Sequence, residues 1–141
     1  MTIEEHARIQ TGLLLGRLAL QVNRAAKSCN EEAVHDLRVS IRRLNRCLRV
    51  FSQFYPEGSW KRIRRRLKTL MEAAGSVRDL DIATEFLGEM GIRKPSPLLH
   101  RLAESRRAAR RELEREVRIW KESGFSKRWR STLGLNGVRN A

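Results

Sequence analysis

A chain of 141 residues with 40% apolar side chains is long enough for one domain with its own core. It carries 30 Lys and Arg against 16 Asp and Glu, a formal charge of +14, which favours an anionic partner and leaves the fold open. No apolar run reaches the roughly 18 residues of a membrane span, no secretory leader pattern opens the chain, and strand alternation and glycine-rich phosphate loops are missing from the pattern.

The elements follow in chain order. Residues 3–27 predict a first helix with a broad apolar face at Leu14, Leu15, Leu18, Val22 and Ala25. Ser28 with Glu31 predicts a capping box for a second helix that reaches about Tyr55. "PEGS" is a turn, and Ser59 is expected to cap a third helix from Trp60 to Ala74. Gly75 is expected to end it, with Ser76 starting a fourth helix to about Met90. After "GIRKPSP", Ser96 and Pro97 fit the N-cap and first position of a fifth helix that runs to about Glu122 and stops at Gly124. Residues 126–133 predict a further turn or two, and 134–141 a flexible tail outside a single domain of 1–133. The expected fold is all-α, an antiparallel bundle of four to five main helices. Cys29 and Cys47 have no metal-ligand spacing and read as reduced thiols in a cytoplasmic protein.

Charge is unevenly distributed. Residues 1–33 carry four cations and four anions, whereas 34–94 carry 14 and 7, and 95–141 carry 12 and 5. The stretch "VHDLRVSIRRLNRCLRVF", residues 34–51, holds five of the arginines. Its aliphatics Val34, Leu37, Ile41, Leu44, Leu48 and Phe51 step by three and four, the seam of a bundle helix. With His35 at zero and about 100° per residue, Arg38, Arg42, Arg46 and Arg49 join it in a stripe about 80° wide on the shoulder of that seam. Arg43 stands apart, near 80° on the same wheel.

A solvated basic face would intersperse carboxylates one turn away. Here the acid between Val34 and Phe51 is Asp36, on another side of the helix. Such a row of like charges costs stability until an anion or another helix compensates it. On the third helix Trp60, Ile63, Leu67, Leu70 and Ala74 form a seam, with Lys61, Arg64, Arg65 and Lys68 on its flank. Two basic shoulders on neighbouring helices would line one groove. In "GSVRDLD", Arg78 is either a direct ligand contact or a structural ion pair held by Asp81, and Asp79 suits a first helical turn. His35 heads the stripe and is expected to donate to the anion. It has no metal-ligating partner one turn away, so no metal or cofactor is expected. Asp79 and Asp81 read as arginine partners rather than Mg²⁺ ligands, and no nucleophile–base pair is visible. The chain is expected to bind, not to catalyse.

These motifs together resemble the CHAD family, the conserved histidine α-helical domain. Its pattern is matched by His35, Arg38 with Val39, Arg42 with Arg43, and then Arg78-Asp79-Leu80-Asp81. The resemblance covers about residues 10–120 and is densest over 34–87. It implies an all-helical fold, a basic channel for inorganic polyphosphate, association with polyphosphate granules and a binding role without catalysis. It also brings Arg43 into the site, against the wheel. Two departures stand out. Asn45 occupies a position that is commonly Arg in the family, and only one of two helical repeats is evident, as in a half-length member. A lone repeat would expose apolar surface at Trp120, Phe125, Trp129 and the first helix, so a homodimer with a shared groove is expected. A nucleic-acid-binding helical protein is the principal rival, though aromatics for base stacking do not interleave the stripe.

Overall fold

The computed structural model describes residues 1–135. Among the described residues there are five α-helices: α1 (Ile3–Lys27), α2 (Glu31–Val50), α3 (Glu57–Glu89), α4 (Pro97–Ser123) and α5 (Phe125–Thr132), with a short 3₁₀ turn at Ser52–Phe54. The first four pack as an up-down-up-down bundle in which α1 neighbours α2, α2 neighbours α3, α3 neighbours α4, and α4 returns to α1. The all-α bundle read from periodicity is the fold observed. Leu15, Leu18 and Val22 of α1 meet the α2 seam of Val34, Leu37, Ile41, Leu44 and Leu48 in one core with Ile63, Leu67 and Leu70 of α3 and Leu113 and Val117 of α4.

Several boundaries differ from expectation. Ser28 ends α1 instead of opening α2; the cap of α2 is Asn30, whose side-chain oxygen accepts from the Ala33 backbone N–H at 2.8 Å. Helix α2 stops at Val50, not Tyr55, and α3 begins at Glu57, so Ser59 caps nothing. The largest correction is at Gly75. The expected third and fourth helices are one rod of 33 residues running straight through it. An interior glycine costs a helix about 1 kcal/mol, whereas fully burying one leucine or valine is worth about 1.5–3 kcal/mol. Leu70, Ala74 and Val77 are all fully buried around this point, so tertiary packing carries the helix across. Gly124 does stop α4, at φ 62°, a left-handed conformation that glycine adopts without strain.

The C-terminal aromatics are interior rather than a docking surface. Trp120 is 1% exposed and Phe125 7%. Their rings and that of Trp129 pack edge-to-face, with centroids 4.6, 5.1 and 5.4 Å apart. Helix α5 folds back over the bundle and brings them together, so these residues give the expected homodimer no support. The first two residues of the tail expected from residue 134 pack on the bundle. Leu135 is buried, and the Gly134 carbonyl accepts from Arg8 at 3.1 Å; residues 136–141 lie outside the described residues.

Between α1 and the turn before α3, the buried Thr11 hydroxyl lies 2.6 Å from the Tyr55 phenol and donates to the Ala7 carbonyl at 2.7 Å. Cys29 and Cys47 are free and buried. Burial pushes both thiols and the Tyr55 phenol up, so all three stay protonated at neutral pH. Trp120→Ala is expected to cost about 3–5 kcal/mol in urea denaturation, because it empties the centre of the aromatic cluster. Trp129→Ala, at a partly exposed ring, is expected to cost clearly less.

Candidate anion-binding groove between two helices

Two side-chain contacts set how α2 lies against α3. Arg64 Nε donates to Asn45 Oδ1 at 3.0 Å, and Arg78 donates to Glu31 at 3.1 Å. Stepping back 14 residues on α2, from Asn45 to Glu31, moves forward 14 on α3, from Arg64 to Arg78. The two helices therefore share one unbroken antiparallel register over about 21 Å.

The same contacts orient the stripe. On the α2 wheel, Asn45 and Glu31 fall near 280° and 320°, bracketing Arg38 at about 300°. Both touch α3, so Arg38, Arg42 and Arg49 line the α3 shoulder, with His35 and Arg46 at its outer lip. On the far side, Asp36 binds Arg24 of α1 at 2.8 Å and Cys47 lies 3.4 Å from Thr11. Arg43 shares that direction and stands on the α1 side, away from α3.

From α3 come Lys61, Arg64, Arg65 and Lys68, which line a cavity of about 580 Å³ with Asn45, Met71 and Glu72. Arg64 and Lys61 also stand over the Trp60 ring, at 5.7 and 5.8 Å from its centroid. The α3 cations of the expected groove thus line one cavity, in which Asn45 and not the arginine stripe represents α2, and two members are ones that sequence reasoning left aside. Asn45 bridges the helices. Trp60 supports the cations instead of serving only the core seam. Their signals were present: Asn45 sits at the edge of the stripe, and Trp60 adjoins Lys61.

Carboxylates are scarce along this face. Lys61 pairs with Glu57 at 2.7 Å, which holds that exposed carboxyl below its usual range, and Arg78 pairs with Glu31. Arg38, Arg42, Arg46, Arg49, Arg65 and Lys68 form no ion pair among the described residues. Arg38 Nε is buried without a hydrogen-bond partner, alone in this respect among the described side-chain nitrogens and oxygens. A buried donor left unsatisfied costs about 1–3 kcal/mol.

The supporting acids are placed differently from expectation. Asp81 does not hold Arg78. It accepts from Arg106 of α4 at 2.5 Å, a half-buried link that raises the Arg106 pKa mainly through that hydrogen bond. Because α3 is continuous, Asp79 occupies no first turn, and it is exposed. Neither acid forms an ion pair with a cation of the groove among the described residues. Among the described residues no group of three or more His, Cys, Asp and Glu is arranged to hold a metal ion, and no helix is long and apolar enough to cross a membrane.

An all-α bundle with a cationic groove between two register-locked helices is the architecture defined so far. The model of the CHAD domain matches residues 12–137, nearly the whole chain, and the protein belongs to the CHAD family. That family is associated in general with polyphosphate binding. No curated protein and no solved structure matches the chain.

The orphaned donor separates function from stability. Arg38→Met is expected to leave the unfolding free energy unchanged or raised, because it removes an unsatisfied buried group. The same variant is expected to weaken polyphosphate binding roughly tenfold or more, the worth of a charge-assisted hydrogen bond. Arg43→Met is expected to bind nearly as wild type. Fluorescence anisotropy with labelled polyphosphate reads both; a larger loss at Arg43 would overturn the assignment of the stripe to α3.

Proposed function

We propose that the α2–α3 groove binds inorganic polyphosphate and that the protein acts as a non-catalytic binding or targeting module. The observation that carries this reading is Arg38, whose buried Nε lacks an acceptor beside a row of guanidiniums that also lack carboxylate partners. Guanidinium forks suit phosphate oxygens better than ammonium groups do. A thin chain bearing charge on every phosphate matches cations that recur along two parallel rods. Family membership supports the same ligand class. Residence in the cytoplasm at polyphosphate granules follows as part of the proposal.

The rival ligand is nucleic acid. Trp60, beneath Lys61 and Arg64, is the observation that favours it, since an aromatic among cations is also a base-stacking platform. Competition at physiological salt among long-chain polyphosphate, duplex DNA and RNA distinguishes the two. Polyphosphate is expected to win, with affinity falling steeply as salt rises. Equal affinity for DNA and polyphosphate would transfer the groove to nucleic acid.

A binding module turns nothing over. Phosphate release from polyphosphate is expected to stay at background with added Mg²⁺ or Mn²⁺. Release that survives repurification and vanishes in Asp79→Ala or Asp81→Ala would replace this reading with a hydrolase.

A further inference from the structure

Gly75 lies deep inside α3, 18 residues from its start at Glu57 and 14 from its end at Glu89. Glycine is the costliest helix-interior residue apart from proline. Two structural reasons usually retain one: a positive φ, or the close approach of another element. Neither applies at Gly75. Its φ is not positive, and a Cβ placed there would meet nothing within 4 Å. Gly58 and Gly88 have open surroundings too, but they sit in the first and last turns, where a helix frays.

The direction of Gly75 is that of the groove. On the α3 wheel it falls about 20° from Arg64 and about 20° from Lys68, within the cationic row. In the register set by Asn45–Arg64 and Glu31–Arg78, residue 75 stands level with Val34 and His35, one turn from Arg38. So where α2 presents His35, α3 presents bare backbone, and Met71 stands level with Arg38. The side chains one turn away on α3 are Met71, Glu72, Asp79 and the groove cation Arg78.

We propose that Gly75 is a specificity-determining position, a saddle that lets a phosphate chain lie against α3 and reach the Arg38 guanidinium from the groove. A side chain here would lift the anion off that donor. The saddle favours a thin polyanion without substituents over one that carries sugars and bases. This inference rests on the groove being the polyphosphate site.

The test uses the full chain, with Gly75→Ala, Gly75→Leu and, as a control away from the groove, Gly88→Ala. Thermal midpoints by circular dichroism are expected to rise by roughly 2–5 °C for Gly75→Ala, as helix propensity dictates. Affinity for long-chain polyphosphate is expected to fall roughly tenfold for Gly75→Ala, through loss of the Arg38 bond, and further for Gly75→Leu. Gly88→Ala is expected to bind as wild type. A Gly75→Leu variant that binds like wild type would overturn the saddle while leaving the groove intact. A lowered midpoint for Gly75→Ala would also overturn it, by showing that the fold itself needs the glycine. Absence of polyphosphate binding by wild type would instead remove the groove reading, and the saddle with it.

Discussion

The antiparallel lock between α2 and α3 is the constraint from which the rest of the site follows. Asn45–Arg64 at one level and Glu31–Arg78 at another hold the two helices in one register. Neither contact is worth much alone, since exposed pairs contribute about 0–1 kcal/mol. Their effect is directional. The seam from Val34 to Leu48 supplies the stabilisation, and the polar contacts choose which shoulder of α2 meets which shoulder of α3. A rotation of α2 by one residue's worth of angle would turn the arginine stripe out of the groove.

Holding cations together demands that carboxylates be used elsewhere, and the bundle does so consistently. Asp36 meets Arg24 on the α1 side of α2. Asp81 and Glu116 face Arg106 and Arg66 across the α3–α4 seam, and Glu114 pairs with Arg110 within α4. Glu72 is the acid left in the lining of the α2–α3 cavity. The outcome is paired charge along the α1–α2 and α3–α4 seams and a strip of guanidiniums without carboxylate partners, among the described residues, on the α2–α3 face. Water and salt screen that strip in the free protein, and a multivalent anion would screen it better.

The core permits this arrangement. Repulsion along α2 and α3 opposes their approach, and the opposing term is apolar burial along four helices, closed at one end by the Trp120–Phe125–Trp129 cluster. Helix α5 covers aromatic surface that would otherwise be open, and Arg130 ties it to α1 through the Gly12 carbonyl at 3.1 Å. The Thr11–Tyr55 pair anchors the turn from which α3 departs. These features sit away from the groove, so the scaffold and the cationic strip are separate parts of the fold.

Sequence alone determined the helical class, the α2 seam, the basic stripe beside it and the separation of Arg43 from that stripe. All of these are periodic properties of a single rod, and an α-helix has one fixed angle per residue. It also carried the motif of the CHAD family in residues 35–43 and 78–81. Only the tertiary structure decided that α3 passes unbroken through Gly75, that Asp81 belongs to Arg106, that the C-terminal aromatics face inward, and that Asn45 and Trp60 join the groove. Each depends on a neighbour distant in the chain: buried side chains that outweigh a glycine's propensity, an α4 guanidinium nearer to Asp81 than Arg78 is, and a last helix folded back over the bundle. Local pattern specifies the faces of a helix, and packing alone selects the partner each face meets.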